Sequence, residues 1–241
     1  MNISKLLYLI LLFRSSITFS QEDVNLYPQS SKYIERDYFT LFYNEEHEQA
    51  KWVYYRLNKN IISGNAERKN NFKADPLVNS GSAKLSDYKG SGFDRGHLCP
   101  AGSMKISQKA MDETFYMSNM SPQHPSFNRG IWKKLEGLIR DWVYQYGDLI
   151  VVTGPIFDEK MSSIGNSEVS VPNYFYKVVY ALEGEGKMIG FILPNQKSSD
   201  QLINFSVTVD EVELISGLNF YHKLDDKTEE VLESKIGEFG F

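Results

Sequence analysis

Two hydrophobic periods alternate along the chain. Tyr38 to Tyr43 (YFTLFY) and Lys51 to Leu57 (KWVYYRL) are aromatic and β-branched runs on either side of the charged stretch Asn44 to Gln49, which predicts two strands and a turn. Leu149 to Thr153 (LIVVT), Tyr174 to Leu182 (YFYKVVYAL) and Lys187 to Leu193 (KMIGFIL) predict three more strands, the last two joined at Glu183 to Gly186. Phe93 to Leu98 and Thr114 to Met117 are further strand candidates. The period then changes: Ile131, Leu135, Leu138 and Trp142 recur at steps of four, three and four, the apolar stripe of a helix that starts near Ser126 and ends with Gly147 as its C′ residue. Thr208 and Glu211 form a capping-box pattern ahead of Val212, Leu214, Ile215 and Leu218, and a last helix is expected near Thr228 to Ile236. Asn58 to Gly92, rich in Asn, Ser, Gly, Lys and Asp, reads as a long loop region with a short strand near Phe72. Strands and helices mixed in this way predict an α+β fold with adjacent late strands antiparallel.

The first twenty residues stand apart. Lys5 precedes eight apolar residues, Leu6 to Phe13, and Ser15 to Ser20 is small and polar, so residues 1–20 read as a signal peptide cleaved near Gln21. The apolar run falls short of the ~20 residues of a spanning helix, and Arg14 interrupts it. Residues 21–36 are expected as a loose polar lead-in and 37–241 as a single domain, secreted or periplasmic, with no membrane partner after cleavage.

Composition narrows the class. With 41% hydrophobic and 24% charged residues in 241, neither a disordered tail nor a multi-span membrane protein fits. The single cysteine, Cys99, excludes a disulfide within the chain. Removing Lys5 and Arg14 leaves 24 basic against 31 acidic residues, moving the net charge from −5 to −7. A polyanion must therefore be held by a local basic patch against the overall field. Lys69, Lys73, Arg129, Lys133 and Lys134 are candidates for its rim.

The densest polar cluster spans about fifty residues. It runs from Asp94-Arg95-Gly96-His97 through Ser118-Asn119-Met120-Ser121-Pro122-Gln123 to Phe127-Asn128-Arg129-Gly130-Ile131-Trp132, with Glu136 and Arg140 beyond. These three linked blocks resemble the DNA/RNA non-specific endonucleases, the ββα-metal nucleases that include the Serratia-type secreted nuclease and mitochondrial endonuclease G. The resemblance covers roughly residues 35 to 220. It implies a ββα-metal finger, a mainly antiparallel central sheet flanked by helices, Mg²⁺ with Mn²⁺ as a substitute, DNA and RNA as substrates, and products with 5′-phosphates. It admits a homodimer and names no inhibitor protein.

Phosphodiester hydrolysis demands on the order of 20 kcal/mol of transition-state stabilisation, whereas a general base supplies roughly 3 to 5. Cations around the phosphorus must do much of the remainder. His97 is the candidate base, since a neutral imidazole can take a proton from water at neutral pH. Asn128 is the candidate metal ligand, a neutral oxygen donor suited to Mg²⁺. Arg95 is a candidate phosphate clamp, and Asp94 is expected to orient that arginine or the loop through hydrogen bonds. The resemblance implies that Glu136 holds the water shell of the metal, that Arg140 meets the scissile phosphate or its leaving oxygen, and that Asn119 supports the site from behind. An i, i+4 ion pair between Glu136 and Arg140 is the bland alternative. Family members often carry an arginine where this chain has Asn70; Arg68, two residues earlier, is placed on the same strand face by period-2 alternation. An inactive nucleic-acid-binding module and a phosphodiesterase for small esters are the rival functions.

Overall fold

The computed structural model describes residues 26–241, so the expected signal segment lies outside the described residues. In chain order the strands are β1 (Ile34–Glu35), β2 (Phe39–Asn44), β3 (Gln49–Leu57), β4 (Asp94–His97), β5 (Met120–Gln123), β6 (Leu149–Ile156), β7 (Ser162–Ile164), β8 (Val169–Val171), β9 (Tyr174–Ala181), β10 (Lys187–Pro194) and β11 (Ser206–Val207). The helices are α1 (Lys59–Ile62), α2 (Leu85–Tyr88), α3 (Gln108–Glu113), α4 (Pro125–Phe127), α5 (Lys133–Tyr146), α6 (Val209–Ser216) and α7 (Asp226–Glu233). Seven strands form one sheet in the order β1-β2-β3-β6-β9-β10-β11, antiparallel throughout. This is the expected α+β architecture.

Its central strands are buried on both faces, which explains their nearly continuous apolar sequence. On β6, Leu149 and Val151 face one core and Ile150 and Val152 the other; on β9, Phe175 and Val179 oppose Tyr176 and Val178. The first face is covered by α5 through Leu135, Ile139, Trp142 and Val143. The second is covered by α6 and α7 through Val209, Val212 and Leu232. Gly147 ends α5 at φ 71°, with its N–H on Val143 O, and the Thr208–Glu211 capping box opens α6 as expected. A side chain at Gly147 would also strike Glu183, because the Cβ would lie 1.7 Å from Oε1.

Several expectations are corrected. Thr114 to Met117 is not a strand: α3 and a tight turn carry the chain to Met117–Asn119, and the strand is β5, formed by the polar Met120–Gln123. The helix expected from Ser126 is broken into α4, a widened turn and α5. The strand near Phe72 shrinks to one bridge between Lys73 and Tyr116. The last helix spans Asp226–Glu233, two residues earlier at its start than expected. The lead-in also holds buried anchors, since Leu26 and Tyr27 are in the core, Tyr27 stacking on Trp52 at 5.7 Å, and β1 pairs with β2.

A buried ion pair fastens the lead-in to the long loop. Arg36 Nη2 donates to Asp75 Oδ1 at 2.5 Å, and Ser118 Oγ donates to Oδ2 at 2.5 Å. The two ion-pair side chains are 5% and 0% exposed. Removing one partner of such a pair strands the other's charge, so Asp75→Ala is expected to lower the unfolding free energy in urea by about 3 to 5 kcal/mol. A loss below about 1 kcal/mol would show that the pair behaves as a surface bridge.

Candidate active site

β4 and β5 form an antiparallel ribbon with Asp94 opposite Gln123 and His97 opposite Met120. Gly96 is required there, because a Cβ would lie 2.1 Å from the Gln123 side chain. The chain then turns through α4 into a π-type turn over Asn128–Trp132, kinked at Gly130, before α5 begins. Widened turns of this kind recur at functional sites. Phe127 and Trp132 pack on Phe175 at ring distances of 5.4 and 5.6 Å, which roots the turn in the core and leaves Asn128 half-buried and Arg129 exposed. Strand, strand and helix thus form the expected ββα unit.

A groove of about 480 Å³ is lined by Arg68, Asn70, Phe72, Asp94, Arg95, Asn128 and Arg129. Asp94 organises one wall. It accepts from Arg129 Nε at 2.8 Å and Nη2 at 2.6 Å, and from Asn128 Nδ2 at 2.8 Å. Burial works to raise the Asp94 carboxyl, but the hydrogen bonds from Arg129 and Asn128 outweigh it and hold the group below the usual carboxylate range. Of the two expected roles, orienting Arg95 or orienting the loop, the hydrogen bonds of Asp94 run to Arg129 and Asn128 and none to Arg95.

Two further guanidiniums line the groove. The Arg95 guanidinium lies over Phe72 at 4.3 Å, and Arg68 lies over Phe115 at 5.0 Å while its Nε donates to Asn70 Oδ1 at 2.7 Å. Asn70 sits at φ 51°, and residues 68 to 70 are irregular backbone instead of the strand assumed for their alternation. Arg68 nonetheless reaches the groove.

His97 does not line the groove itself but packs behind its Phe72, 7% exposed, its ring 5.8 Å from Phe72 and 4.8 Å from Phe115. Its Nε2 is buried with no hydrogen-bond partner. Burial lowers the imidazole to about 3, assisted by the charges of Arg68 and Arg95. The ring is therefore neutral at ordinary pH.

The remaining candidates lie further along the helix or behind it. Glu136 is half-buried; burial raises its carboxyl, opposed by Lys177, Arg140, Arg68 and Lys133. Arg140 Nη1 bonds Ser103 Oγ at 3.3 Å, and no Glu136–Arg140 ion pair forms among the described residues. Asn119 is fully buried and brackets Cys99, accepting from its N–H at 2.8 Å and donating to its carbonyl at 3.0 Å and to Thr114 O at 2.8 Å. It therefore holds the backbone two residues beyond His97 and does not reach the groove.

Two residues packed against the candidate site were not anticipated. Phe115 supplies the aromatic wall behind His97. Lys177 is fully buried beneath α5, its Nζ 4.4 Å from the Trp132 ring and 3.3 Å from Tyr55 Oη. Burial pulls its ammonium below the usual lysine range, while Glu136 opposes that shift. The signal was present in YFYKVVYAL, where a lysine interrupts a run otherwise fit for a buried strand.

The sequence model of the family described as DNA/RNA non-specific endonuclease matches residues 20–227. Nuclease C1 of Cunninghamella echinulata var. echinulata is 40% identical over 214 residues, covering 81% of this chain and 85% of that one. Human mitochondrial nuclease EXOG is 38% identical over 77% of this chain, which spans about half (55%) of EXOG's length. Human mitochondrial endonuclease G is 35% identical over 77% of this chain and 68% of its own. A solved structure of the EndoG/EndoGI complex aligns with TM-score 0.79 and 31% identity, over 84% of this chain and 90% of that one.

The depressed imidazole has a stability consequence. An unfolded chain takes up the His97 proton near pH 6.5 and the folded one only near 3, so its contribution is full above about 6.5 and declines as pH falls toward about 3. Between about pH 6 and about pH 4, wild type should lose about 1 kcal/mol per pH unit more than His97→Gln in urea unfolding. Equal losses would contradict the buried neutral ring.

Proposed function

The chain belongs to the DNA/RNA non-specific endonuclease family, and from that premise we propose a secreted, metal-dependent endonuclease that cuts DNA and RNA with little sequence preference, leaving 5′-phosphates. The observation that carries this reading is the convergence of Arg68, Arg95 and Asn128 on one groove with the neutral His97 ring behind them. Export rests on Lys5 and the apolar run Leu6 to Phe13.

The donor chemistry suits a hard divalent ion. Asn128 Nδ2 is committed to Asp94, which leaves Oδ1 as a neutral oxygen donor for Mg²⁺, with Mn²⁺ as a substitute. A cation bound there would supply positive charge to the non-bridging and departing oxygens of the phosphodiester. Arg95 and Arg68 bind the phosphate from the facing wall, Arg68 standing in for the arginine expected at Asn70. His97 removes the proton from the attacking water. Burial is the main cause of its low basicity in the free enzyme, and the two guanidiniums add to it; an anionic phosphate settling between them offsets that second part, so the ring becomes a stronger base once substrate is present. Glu136 holds water beside the groove, and Arg140 meets the leaving oxygen. Contacts of this kind address the phosphate backbone, which carries no base information.

Supercoiled plasmid incubated with Mg²⁺ should be nicked and then linearised, and EDTA should stop the reaction. His97→Ala is expected to lower kcat by about 10² to 10⁴-fold, and Asn128→Ala to remove the Mg²⁺ dependence together with most activity. Near-normal cutting by either variant would refute the assigned roles. In the free enzyme His97 stays neutral down to about pH 3, so kcat/KM should hold below about pH 5. An acid limb centred near 6.5 would show the ring to be solvated instead.

A further inference from the structure

On the sheet face away from the groove, α6 and α7 bring three carboxylates together. Asp210 and Glu213 lie one turn apart on α6, Glu233 ends α7, and one oxygen from each lies within 4.8 Å of the others. Two ligands on opposite sides of a Ca²⁺ ion, each at about 2.4 Å, are about 4.8 Å apart, so these oxygens fit around one such ion.

Burial is the second observation. Glu233 is 3% exposed, and its Oε1 is buried without a hydrogen-bond partner. No Lys or Arg pairs with any of the three acids among the described residues. A buried carboxylate left without cation or donor is strongly unfavourable. Phe220 N–H donates to Glu213 Oε1 at 2.6 Å and steadies that ligand, while exposed Asp210 leaves a route from solvent. The neighbouring Tyr221 hydroxyl is also buried and unpartnered.

We infer that Asp210, Glu213 and Glu233 form a Ca²⁺ site that ties the C-terminal helix α7 to α6. The all-oxygen set disfavours Zn²⁺, which prefers nitrogen and sulfur, and an irregular trio of carboxylates suits Ca²⁺ better than the strict octahedron of Mg²⁺. This site is separate from Asn128 and independent of the proposed catalysis.

Thermal unfolding of the full chain, stripped with EDTA and titrated with CaCl₂, tests the site. At Ca²⁺ about a hundredfold above its dissociation constant, Tm should rise by about 5 to 10 °C, in Asn128→Ala as in wild type. Asp210→Asn, altered at an exposed position, should need at least about tenfold more Ca²⁺ for the same shift. Glu233→Gln should show no Ca²⁺ shift, with a Tm in EDTA equal to or above that of wild type. No shift in wild type, a shift that survives Glu233→Gln, or a Glu233→Gln Tm below wild type in EDTA would each overturn the site.

Discussion

The active-site arrangement depends on how the two oxygens of Asp94 are used. Both are gripped by Arg129, and one also accepts from Asn128 Nδ2. Because Asp94 opens β4 and Asn128 lies at the widened turn, this carboxylate fixes the strand to the helix start across a break in regular structure. It also decides which end of the Asn128 amide is spoken for. The core contacts of Phe127 and Trp132 make the turn rigid behind it.

Charge is distributed to match. The chain is acidic overall, yet the groove gathers Arg68, Arg95 and Arg129 around a single carboxylate, Asp94. Two guanidiniums rest on aromatic rings, which orients them without carboxylate partners that would cancel their charge. Burial keeps His97 neutral, and the wall that would hold a phosphate adds to that effect. Lys177, buried beneath α5, interacts electrostatically with Glu136 on that helix, a further pair of opposite charges just past the turn that carries Asn128.

Most of the sheet was legible because its central strands are sequestered on both faces and so read as unbroken apolar runs. The long helix was legible at Leu135 and Trp142, but its start was not. A π-type turn shifts the phase at Gly130, so Asn128 and Glu136 are not related by regular helical spacing. β5 was missed because it is polar and buried by tertiary contacts: Ser121 donates to Gln49 Oε1 at 2.5 Å, and Gln123 packs on Gly96. Residues 94 to 97 and 128 were identified from the resemblance; the structure brings Asp94, Arg95 and Asn128 to one groove and packs the His97 ring against its Phe72. The Asp94–Arg129 pairing was hidden, since partners thirty-five residues apart leave no periodic trace.

The central claim is that one phosphate is shared by the Asn128 amide and the position of His97. A crystal structure of His97→Ala with Mn²⁺ and a short DNA duplex measures this directly through the anomalous signal of the metal. Mn²⁺ is expected on Asn128 Oδ1, with a phosphorus between that ion and residue 97 and with Arg95 on its oxygens. Metal bound away from Asn128, or a duplex that leaves the groove empty of phosphate, would contradict it.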